Sequence, residues 1–427
     1  MSFLEINGGR KLYGTVSVQG AKNAVLPMMA AALLNQGVTV IQNVPNILDV
    51  IHMIHIMEGL GCKISYENEI LTLDASCLNT NELHSIWAGK MRCSIILLGA
   101  LIGRCKDAVA YYPGGCSIGT RPIDLHIEGL KKMGVAFTFE GEKIRAKVDK
   151  LIGTEILLPF PSVGATENIL LAAVKAHGTT CIRGVAREPE IVELCQMLNT
   201  MGGHIEGAGS DTILVYGVAE LHDCSMKVSG DRIVAATYLM AAAACGGEIM
   251  VTEAPCNYMN TSLAVLEQMG CKIRKEERQV EIHSDGNLCP VPYIRTEPYP
   301  GFPTDVQSQL MAALCFSKGR SVIEETIFED RFHTALELKK MGADIIIEGR
   351  RALIYADQRL CGADVEANDL RGGAALVIAG LAATGRTRIT SCQHIFRGYA
   401  RIDTDIQQLG ANIVKRVDET EENRAGI

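Results

Sequence analysis

The sequence predicts an α/β protein built from six copies of one small unit. An amphipathic helix that ends in an apolar residue and a glycine, followed by a short alternating strand, recurs about 70 residues apart. The six apolar–glycine pairs are Leu60-Gly61, Met133-Gly134, Met201-Gly202, Met269-Gly270, Met341-Gly342 and Leu409-Gly410. The helical pattern and the alternating strand pattern return in the same order in each copy. One helix–strand motif therefore accounts for the whole chain.

A second helix, rich in alanine and leucine, lies between these pairs and leads into a β-branched strand, as in GVTVIQNVP and GRTRITSCQHI. A glycine follows the helix in each copy, and we expect it to take the left-handed conformation that closes a helix. These glycines are Gly37, Gly103, Gly178, Gly247, Gly319 and Gly385. Each unit is therefore predicted as strand, helix, strand, helix, strand, strand.

The domain organisation follows from how such units bury their apolar faces. A unit of this size is covered only by its neighbours, so we expect two domains of three units each, with helices inside and sheets outside. The first residues begin in a strand pattern and should complete the last unit. We therefore predict a C-terminal domain of residues 1–21 and 230–427 and an N-terminal domain of residues 22–229, with hinges at Gly20 and Ser229-Gly230 and the active site in the cleft between them.

Composition excludes several classes of protein. The chain has 427 residues and a formal charge of −8, whereas nucleic-acid and membrane-surface proteins usually carry a broad basic face. The longest apolar stretch, residues 233–245, is too short to span a bilayer and is predicted as a buried helix. The N-terminus has no secretion signal, so we expect a cytoplasmic protein. None of the 15 cysteines is spaced as C-x-x-C, which favours reduced thiols and disfavours structural zinc.

Basic residues beside glycine-rich turns and helix starts are candidate anion ligands. In GAKNAVLP, Lys22 and Asn23 enter the first helix and are suited to hold a phosphate or carboxylate; the alternative is an ordinary helix start with a solvated lysine. In PGGCSIGTRPIDLH, Cys116 lies in a glycine-rich loop near Arg121. A thiol near a guanidinium group and backbone amides is acidified and reactive, although a small buried cysteine is the alternative.

Further candidates are charged residues near turns. Four arginines, Arg92, Arg232, Arg371 and Arg397, are suited to bind carboxylate or phosphate bidentately, although singly each is more often a surface residue. Asp305 follows two prolines and precedes a helix, so it is either an N-cap or a general base. The same two interpretations, an N-cap or a general base, apply to Asp369.

The motifs GAKNA, KMR, PGGCSIGTRPIDLH, PSVGATEN, REPEIV, GFPTD, ETIFEDRF, DLR and RGY, in this order, resemble the UDP-N-acetylglucosamine 1-carboxyvinyltransferase family of the EPSP synthase-like superfamily. The resemblance extends from Gly8 to Val414. It implies a two-domain inside-out α/β barrel and transfer of the enolpyruvyl group of phosphoenolpyruvate to the 3-hydroxyl of UDP-N-acetylglucosamine, the first committed step of peptidoglycan synthesis. It implies no metal and no organic cofactor.

The resemblance also implies roles for individual residues. Positions that match the family's phosphoenolpyruvate ligands are Lys22, Asn23, Arg92, Arg121 and Arg397. Cys116 matches the loop cysteine that protonates or adds to phosphoenolpyruvate and is alkylated by epoxides such as fosfomycin, and Asp305 matches the residue that contacts the sugar 3-hydroxyl. Matches to the nucleotide contacts are Arg121, Pro122, Ile123, Asp124, Leu125, Ser162, Val163, Gly164 and Ile327. We add Arg232 and Arg371 as substrate ligands, and Arg397 and Asp369 as catalytic residues.

A mechanism follows from this assignment. Phosphoenolpyruvate becomes electrophilic at C2 when C3 is protonated, by Cys116 or by the Lys22 ammonium group. The 3-hydroxyl, losing its proton to Asp305, then attacks C2 to give a tetrahedral ketal, which loses a C3 proton and phosphate while fixed cations stabilise the anionic stages. Because water competes, we expect UDP-sugar binding to close the domains and carry the Cys116 loop over phosphoenolpyruvate.

Three residues depart from the family's common pattern: Phe160 stands where some members have lysine, Gly230 where proline often precedes Asp231-Arg232, and Tyr299 where histidine is frequent. These departures concern affinity and closure rather than chemistry. The competing hypotheses are the shikimate 3-phosphate enolpyruvyl transferase, which lacks the PGGC loop, an RNA 3'-phosphate cyclase, and a non-catalytic UDP-sugar binder. We expect a monomer with small-molecule partners only.

Overall fold

The computed structural model describes residues 2–114, 119 and 122–417. Within these residues the chain divides into two compact units. One contains the described residues of Met1–Gln19, Ser117–Arg121 and Gly230–Ile427, and is called here the C-terminal unit. The other contains those of Gly20–Cys116 and Pro122–Ser229, and is called the N-terminal unit.

The strands are short, and most have alternating burial, as a half-buried sheet requires. In chain order they are β1 Ser2–Asn7, β2 Leu12–Ser17, β3 Val38–Gln42, β4 Lys63–Glu67, β5 Ile70–Asp74, β6 Asp107–Tyr111, β7 Ala136–Glu140, β8 Lys143–Lys147, β9 Glu155–Leu157, β10 Thr179–Arg183, β11 His204–Glu206, β12 Thr212–Tyr216, β13 Cys224–Lys227, β14 Gly247–Thr252, β15 Lys272–Glu276, β16 Gln279–Ser284, β17 Ile294–Arg295, β18 Arg320–Glu324, β19 Asp344–Glu348, β20 Arg351–Tyr355, β21 Asp364–Glu366, β22 Arg386–Thr390 and β23 Asn412–Val417.

The helices alternate with these strands. They are α1 Lys22–Ala32, α2 Leu48–Leu60, α3 Ser85–Ala88, α4 Leu97–Cys105, α5 Asp124–Lys132, α6 Val163–Ala173, α7 Pro189–Thr200, α8 Arg232–Cys245, α9 Asn260–Gln268, α10 Thr304–Leu314, α11 His333–Lys340, α12 Leu370–Ala382 and α13 Ile402–Gln408, with 3₁₀ helices at Arg92–Ile96, Cys256–Tyr258 and Cys392–Arg397. None of these helices, which cover the described ranges only, combines the length and hydrophobicity needed to cross a membrane.

Each unit contains three small sheets among its described residues. In the N-terminal unit the strand orders are β13-β3-β5-β4, β6-β8-β7 and β11-β12-β10-β9. In the C-terminal unit they are β15-β16-β14-β2, β17-β18-β20-β19 and β21-β22-β1-β23. Strand β1 lies between β22 and β23 and is antiparallel to both, so the first residues of the chain complete a sheet formed by its last strands.

Helices fill the centre of each unit. In the C-terminal unit α8, α10 and α12 pack on one another, and α8 is buried from Ile233 to Ala244, as the apolar stretch of the sequence predicts. In the N-terminal unit α1 packs on α7, and α4 packs on α6. A helix buried on all faces needs an apolar sequence all round, which explains why α8 and α12 are so rich in alanine.

The glycine predictions are correct for one set and partly wrong for the other. The glycines of all six apolar–glycine pairs have φ between 93° and 106°. In the second set Gly103 lies inside α4, and Lys106 takes the left-handed conformation after that helix instead, with φ 62°. A Cβ on Gly103 would lie 2.9 Å from the Leu34 side chain, so this glycine is required by close packing. Gly37 also lacks a positive φ, and a Cβ there would meet Asp223.

Candidate active site

The start of α1 carries Lys22 and Asn23. The preceding residue, Ala21, has no side chain that can cap the helix, so the first-turn amides keep the orientation that favours an anion. Lys22 Nζ lies 3.1 Å from Asp49 Oδ2, in the first turn of α2. Asp49 is 1% exposed, whereas the Lys22 side chain is 14% exposed. A buried carboxylate therefore holds the ammonium group, while part of the Lys22 side chain remains exposed to solvent.

The segment that carries the predicted uridine contacts begins α5. Ile123 is the N-cap residue and is buried, while Pro122 and Asp124 are exposed. Arg92, the first residue of its 3₁₀ helix, donates from Nη2 to the Pro122 carbonyl at 3.3 Å. The structure thus brings Arg92 together with the predicted nucleotide-binding segment.

The PSVG segment begins α6. Ser162 is the N-cap, and its Oγ accepts a hydrogen bond from the Ala165 amide at 3.3 Å. Val163 and Gly164 form the first turn and are partly exposed. A serine cap satisfies one first-turn amide and leaves the others directed along the helix axis, which is the arrangement that binds phosphate.

Asp305 lies in the first turn of α10, in the C-terminal unit. The N-cap residue is Pro303, so the N-cap interpretation of Asp305 is wrong. Its carboxylate instead lies between two buried guanidinium groups: Oδ1 is 3.0 Å from Arg331 Nη2, and Oδ2 is 3.4 Å from Arg371 Nη2. Both arginine side chains are almost completely buried, whereas that of Asp305 is 30% exposed. The carboxylate is thus fixed in direction and remains accessible.

Arg371 connects Asp305 to a buried polar network. Its Nη1 lies 3.4 Å from the Tyr399 hydroxyl, which also lies 2.8 Å from Thr237 Oγ1 and 3.4 Å from Gln309 Nε2. Burial acts most strongly and lowers the pKa of Arg371, but Asp305, Tyr399 and Asp231 together outweigh it, so the pKa is raised above its ordinary value. Arg371 therefore stays charged although it is buried, and the network joins α8, α10 and α12 behind Asp305.

Glu325 holds two further segments of the site. Its Oε1 accepts from the amides of Ile327 and Phe328, at 2.8 and 3.1 Å, and from Thr296 Oγ1 at 2.9 Å. Its Oε2 accepts from Thr304 Oγ1, also at 2.9 Å. Glu325 is 1% exposed. One buried carboxylate therefore fixes the turn at Ile327, a predicted nucleotide contact, against the start of α10.

Arg232 begins α8 and lies above an aromatic ring. Asp231 is the N-cap, and its Oδ1 accepts from the amides of Ile233 and Val234 at 2.8 and 3.1 Å. The Arg232 guanidinium carbon is 5.8 Å from the centre of the Tyr299 ring. Tyr299 therefore supplies a cation–π partner for Arg232.

Arg397 and Asp369 occupy the same part of the C-terminal unit. Arg397 ends its 3₁₀ helix, and Asp369 is the N-cap of α12, with Oδ1 accepting from the amides of Arg371 and Gly372. Burial lowers the pKa of His394; Arg397 lowers it further, whereas Asp369 acts to raise it. Both charges thus act on one histidine. The cap bonds account for the position of Asp369, and its catalytic role stays a prediction.

Comparison with known proteins decides the family. Residues 6–406 match EPSP synthase (3-phosphoshikimate 1-carboxyvinyltransferase). UDP-N-acetylglucosamine 1-carboxyvinyltransferase 2 of Caldanaerobacter subterraneus subsp. tengcongensis is 47% identical over 415 residues, which cover 97% of this chain and 100% of the relative. UDP-N-acetylglucosamine 1-carboxyvinyltransferase of Clostridium botulinum is 45% identical, with the same coverage. The chain belongs to this family of enolpyruvyl transferases.

Solved structures agree with the fold of this family. The enolpyruvyl transferase NikO from Streptomyces tendae has a TM-score of 0.88 at 25% identity, covering 97% of this chain and 98% of its own. EPSP synthase from Acinetobacter baumannii has a TM-score of 0.74 at 19% identity, covering 98% of this chain and 100% of its own, and shows the fold alone. The predicted enolpyruvyl transferase fold is thereby confirmed, while the count of six repeats stays a prediction.

The described site residues of this transferase fall into groups within each unit. In the N-terminal unit Lys22 meets Asp49, and Arg92 meets Pro122. In the C-terminal unit Asp305 meets Arg371. Cys116 and Arg121, the loop residues on which much of the predicted chemistry depends, lie outside the described residues, and their roles stay predictions.

Three residues in contact with this site were missed by the sequence analysis. Arg331 and Glu325 both lie in ETIFEDRF, a motif that carries the family resemblance, and an arginine just before a helix is the signal that drew attention to Arg371. Asp49 has no such signal, because an aspartate in the first turn of a helix is ordinary. Only the tertiary contact with Lys22 distinguishes it.

The structure gives a reason for glycine at position 230, where the family often has proline. A Cβ at this position would lie 1.9 Å from the Glu253 carbonyl oxygen, and Glu253 itself has φ 57°. Gly20 makes the equivalent approach in the N-terminal unit, where a Cβ would lie 1.8 Å from the carbonyl oxygen of Asn43, which has φ 60°. Glycine is therefore required at both positions by the close approach of a carbonyl group.

Proposed function

We propose that this chain transfers the enolpyruvyl group of phosphoenolpyruvate to the 3-hydroxyl of UDP-N-acetylglucosamine and releases phosphate, as the first committed step of peptidoglycan synthesis. The observation that carries the proposal is the 47% identity to a UDP-N-acetylglucosamine 1-carboxyvinyltransferase over its whole length. The charges of the described residues fit this chemistry. Lys22, Arg92, Arg232 and Arg371 lie at helix starts, where anionic substrates are bound best.

Asp305 is proposed to accept the proton of the sugar hydroxyl as that oxygen attacks C2. A general base must point at its proton in a fixed geometry, and the contacts of Asp305 with Arg331 and Arg371 supply that fixation. Its side chain keeps 30% of its surface exposed, so a substrate hydroxyl can reach it. Deprotonation of the hydroxyl and protonation of C3 together produce the tetrahedral ketal.

Lys22 is proposed to bind phosphoenolpyruvate together with Asn23, Arg121 and Arg397, and Cys116 to protonate C3. The buried Asp49 carboxylate supports the role of Lys22, because it holds the ammonium group in one direction. Fixed positive charge stabilises the carboxylate and phosphate of the ketal without reorganising during the reaction. The cleft between the two domains is the proposed site. The proposed compartment is the cytoplasm, which fits the free thiols of the described cysteines.

A phosphate-release assay tests the proposal. We expect release of phosphate only when phosphoenolpyruvate and UDP-N-acetylglucosamine are both present, and a product whose mass equals that of the sugar nucleotide plus the enolpyruvyl group. Asp305→Asn should lower kcat by at least about 100-fold, since general base catalysis contributes that much. Circular dichroism of this variant controls for folding.

The family match names a second acceptor, 3-phosphoshikimate, so the same assay includes shikimate 3-phosphate. Release of phosphate with this acceptor and not with the UDP-sugar would contradict the proposed substrate. Binding of UDP-N-acetylglucosamine by a well-folded protein without any turnover would identify a non-catalytic binder and contradict the proposed reaction.

A further inference from the structure

The hydroxyl group of Tyr399 lies at the centre of the buried network behind Asp305. Tyr399 is completely buried. Its oxygen lies 2.8 Å from Thr237 Oγ1, 3.4 Å from Gln309 Nε2 and 3.4 Å from Arg371 Nη1. The guanidinium carbon of Arg371 is also 5.7 Å from the centre of the Tyr399 ring. Tyr399 therefore contacts Arg371 through both its hydroxyl group and its ring.

The positions of the protons in this network follow from its acceptors. Thr237 Oγ1 lies 2.8 Å from the Ile233 carbonyl, one turn earlier in α8, and a carbonyl group only accepts. The single hydroxyl proton of Thr237 is used there, so the Tyr399 hydroxyl must donate to Thr237 Oγ1. Arg371 has donors only, so its Nη1 donates to the Tyr399 oxygen. The hydroxyl proton of Tyr399 consequently points away from the guanidinium group.

The side-chain amide of Gln309 supports the same direction. Its Nε2 lies 2.9 Å from the Asp305 carbonyl, 3.3 Å from Thr237 Oγ1 and 3.4 Å from the Tyr399 oxygen. Turning the amide over would place its oxygen against the Asp305 carbonyl, which has no proton to donate. Helix α8, helix α10 and the segment at Tyr399 therefore share one arrangement of hydrogen bonds.

This arrangement determines how Arg371 meets the proposed base. Because Nη1 is bonded to Tyr399, Nη2 is the nitrogen that reaches Asp305 Oδ2, at 3.4 Å. A guanidinium group is planar, so a contact that fixes one nitrogen also fixes the direction of the other. The second carboxylate oxygen, Oδ1, is held separately by Arg331. Tyr399 therefore sets the geometry of one of the two contacts that orient Asp305.

We infer that Tyr399 is a positioning residue for the reaction: it acts through Arg371 to hold the Asp305 carboxylate in the direction in which it accepts the proton of the sugar hydroxyl. The inference rests on the proposed function and deepens it. A phenylalanine at this position would keep the ring beside Arg371 and remove only the hydrogen-bond acceptor. The guanidinium plane could then turn, and Asp305 would lose a fixed counter-charge.

The first test is Tyr399→Phe in the full-length protein, assayed by phosphate release with saturating phosphoenolpyruvate and UDP-N-acetylglucosamine. We expect kcat to fall about 10-fold, less than removal of the base itself would cause, because the carboxylate is present but misaligned. KM for both substrates should change little, since Tyr399 is buried behind the site and contacts neither of them in this proposal.

The pH profile of kcat separates a positioning role from a structural one. A carboxylate that loses a fixed positive neighbour becomes easier to protonate, so its pKa rises. The acid limb of the kcat profile reports ionisation of the base in the substrate complex. This limb should shift to higher pH in Tyr399→Phe, by about 0.5 units or more. A purely structural role would lower the melting temperature and leave the limb in place.

Tyr238→Phe is the matched control. Tyr238 lies in α8, is 1% exposed, and donates from its hydroxyl to Asp405 Oδ2 at 2.7 Å. The change therefore also removes a buried hydroxyl group from the C-terminal unit, but one that is not bonded to Arg371. We expect it to lower the melting temperature at least as much as Tyr399→Phe and to leave kcat and its pH profile unchanged. Equal shifts of the acid limb in both variants would overturn the inference.

Thr237 provides a test that does not depend on the folding of Tyr399→Phe. Thr237→Val removes the acceptor of the Tyr399 proton, whereas Thr237→Ser keeps it. Without that acceptor the hydroxyl proton turns toward Arg371 and opposes its donor, so Thr237→Val should lower kcat and raise the acid limb, and Thr237→Ser should not. The double variant with Tyr399→Phe should be no slower than Tyr399→Phe alone, because both changes break one chain of hydrogen bonds.

The results that contradict the inference differ from those that contradict the proposed function. Wild-type kcat and an unshifted acid limb in both Tyr399→Phe and Thr237→Val would overturn the role of Tyr399 and leave the proposed function intact. Absence of phosphate release by the wild-type protein with both substrates present would contradict the proposed function, and this inference with it.

Discussion

Asp305 illustrates how single residues of this chain are defined by distant partners. Its two guanidinium contacts come from residues 26 and 66 positions away along the chain. Both arginines are buried, so removing this carboxylate would take a hydrogen-bonded counter-charge away from each of them. Arg371 and Arg331 therefore require Asp305 for stability as much as Asp305 requires them for direction.

A buried acid, Glu167, makes the stability of the protein depend on pH. Burial raises the pKa of Glu167 well above its ordinary value, and the charges of Glu190 and Glu188 raise it further. Between the unfolded and folded pKa values the folded protein keeps this proton and the unfolded chain does not, so stability falls as pH rises.

Glu167→Gln should remove this dependence. We expect the variant to gain free energy of unfolding relative to wild type at pH 8 and not at pH 4, with about 1.4 kcal/mol for each unit of raised pKa. Urea unfolding at both pH values measures the difference. Glu128→Gln, on the exposed face of α5, is the control and should change stability equally little at both. A Glu167→Gln effect that is the same at both pH values would contradict the argument.

For single residues, the sequence identified functional side chains better than it identified the residues that contact them. Lys22 and Asp305 were identified because they lie in short motifs next to helix starts. Asp49 was not, because nothing local distinguishes a residue whose role comes from a contact formed only on folding. Asp305 also shows the limit of local rules, since an aspartate after prolines is typical of an N-cap and the structure uses it otherwise.

Among the elements, the turn after β18 depends on one carboxylate. Glu325 accepts four hydrogen bonds and joins Ile327 and Phe328 to the start of α10. Glutamine offers one acceptor atom in place of two, and its amide group would face hydrogen-bond donors. The turn should therefore loosen when Glu325 is replaced.

Glu325→Gln should lower the free energy of unfolding by about 1–3 kcal/mol, the cost of leaving buried donors unpaired. If Ile327 contacts the nucleotide, KM for the UDP-sugar should rise more than KM for phosphoenolpyruvate. Glu324→Gln is the matched control, because the neighbouring Glu324 lies on the outer face of β18 and bonds to surface residues. Its effect should stay within about 0.5 kcal/mol. Equal effects of the two changes would contradict the role of Glu325.

Two glycines, Gly230 before α8 and Gly59 inside α2, differ in whether a side chain can be tolerated. Gly230→Ala should lower the free energy of unfolding by about 1–3 kcal/mol, because the new Cβ would overlap the Glu253 carbonyl. Gly59→Ala should instead raise it by about 0.5–1 kcal/mol, since Gly59 lies exposed inside α2 and the nearest atom to its Cβ would be 3.9 Å away. Urea unfolding of both variants measures the contrast, and a neutral Gly230→Ala would show that the carbonyl can move aside.

Element boundaries were less predictable than element types. The recurring apolar–glycine pairs marked six helix ends correctly because a left-handed glycine is a local requirement. Gly103 was misassigned because its requirement is not local: it admits the Leu34 side chain from the turn after α1 and the Leu171 carbonyl of α6. Sequence patterns identify the first kind of glycine and cannot identify the second.

For the whole molecule, the full-length resemblance to the carboxyvinyltransferases was predicted from motifs spread along the chain, and the identities of 45–47% confirm it. Composition alone served mainly to exclude classes of protein, such as nucleic-acid binders and membrane-surface proteins. The proposed reaction requires exclusion of water, because the protonated enol phosphate would otherwise be hydrolysed.

Closure on binding of the UDP-sugar is the expected means of excluding water. The radius of gyration measured by small-angle scattering should decrease when UDP-N-acetylglucosamine is added, and phosphoenolpyruvate alone should not cause this change. Scattering that is unchanged at saturating UDP-sugar would contradict closure without affecting the proposed chemistry.

The addition–elimination mechanism is the central claim, and the fate of hydrogen at C3 tests it most directly. When the reaction is run in D₂O, protonation of C3 followed by loss of a proton from the resulting methyl group should place deuterium in the vinyl methylene of the product. Proton and deuterium NMR of the purified enolpyruvyl sugar nucleotide measures this. Deuterium at C3 is the result predicted here, and a product formed at full rate with only protium at C3 would contradict the ketal mechanism.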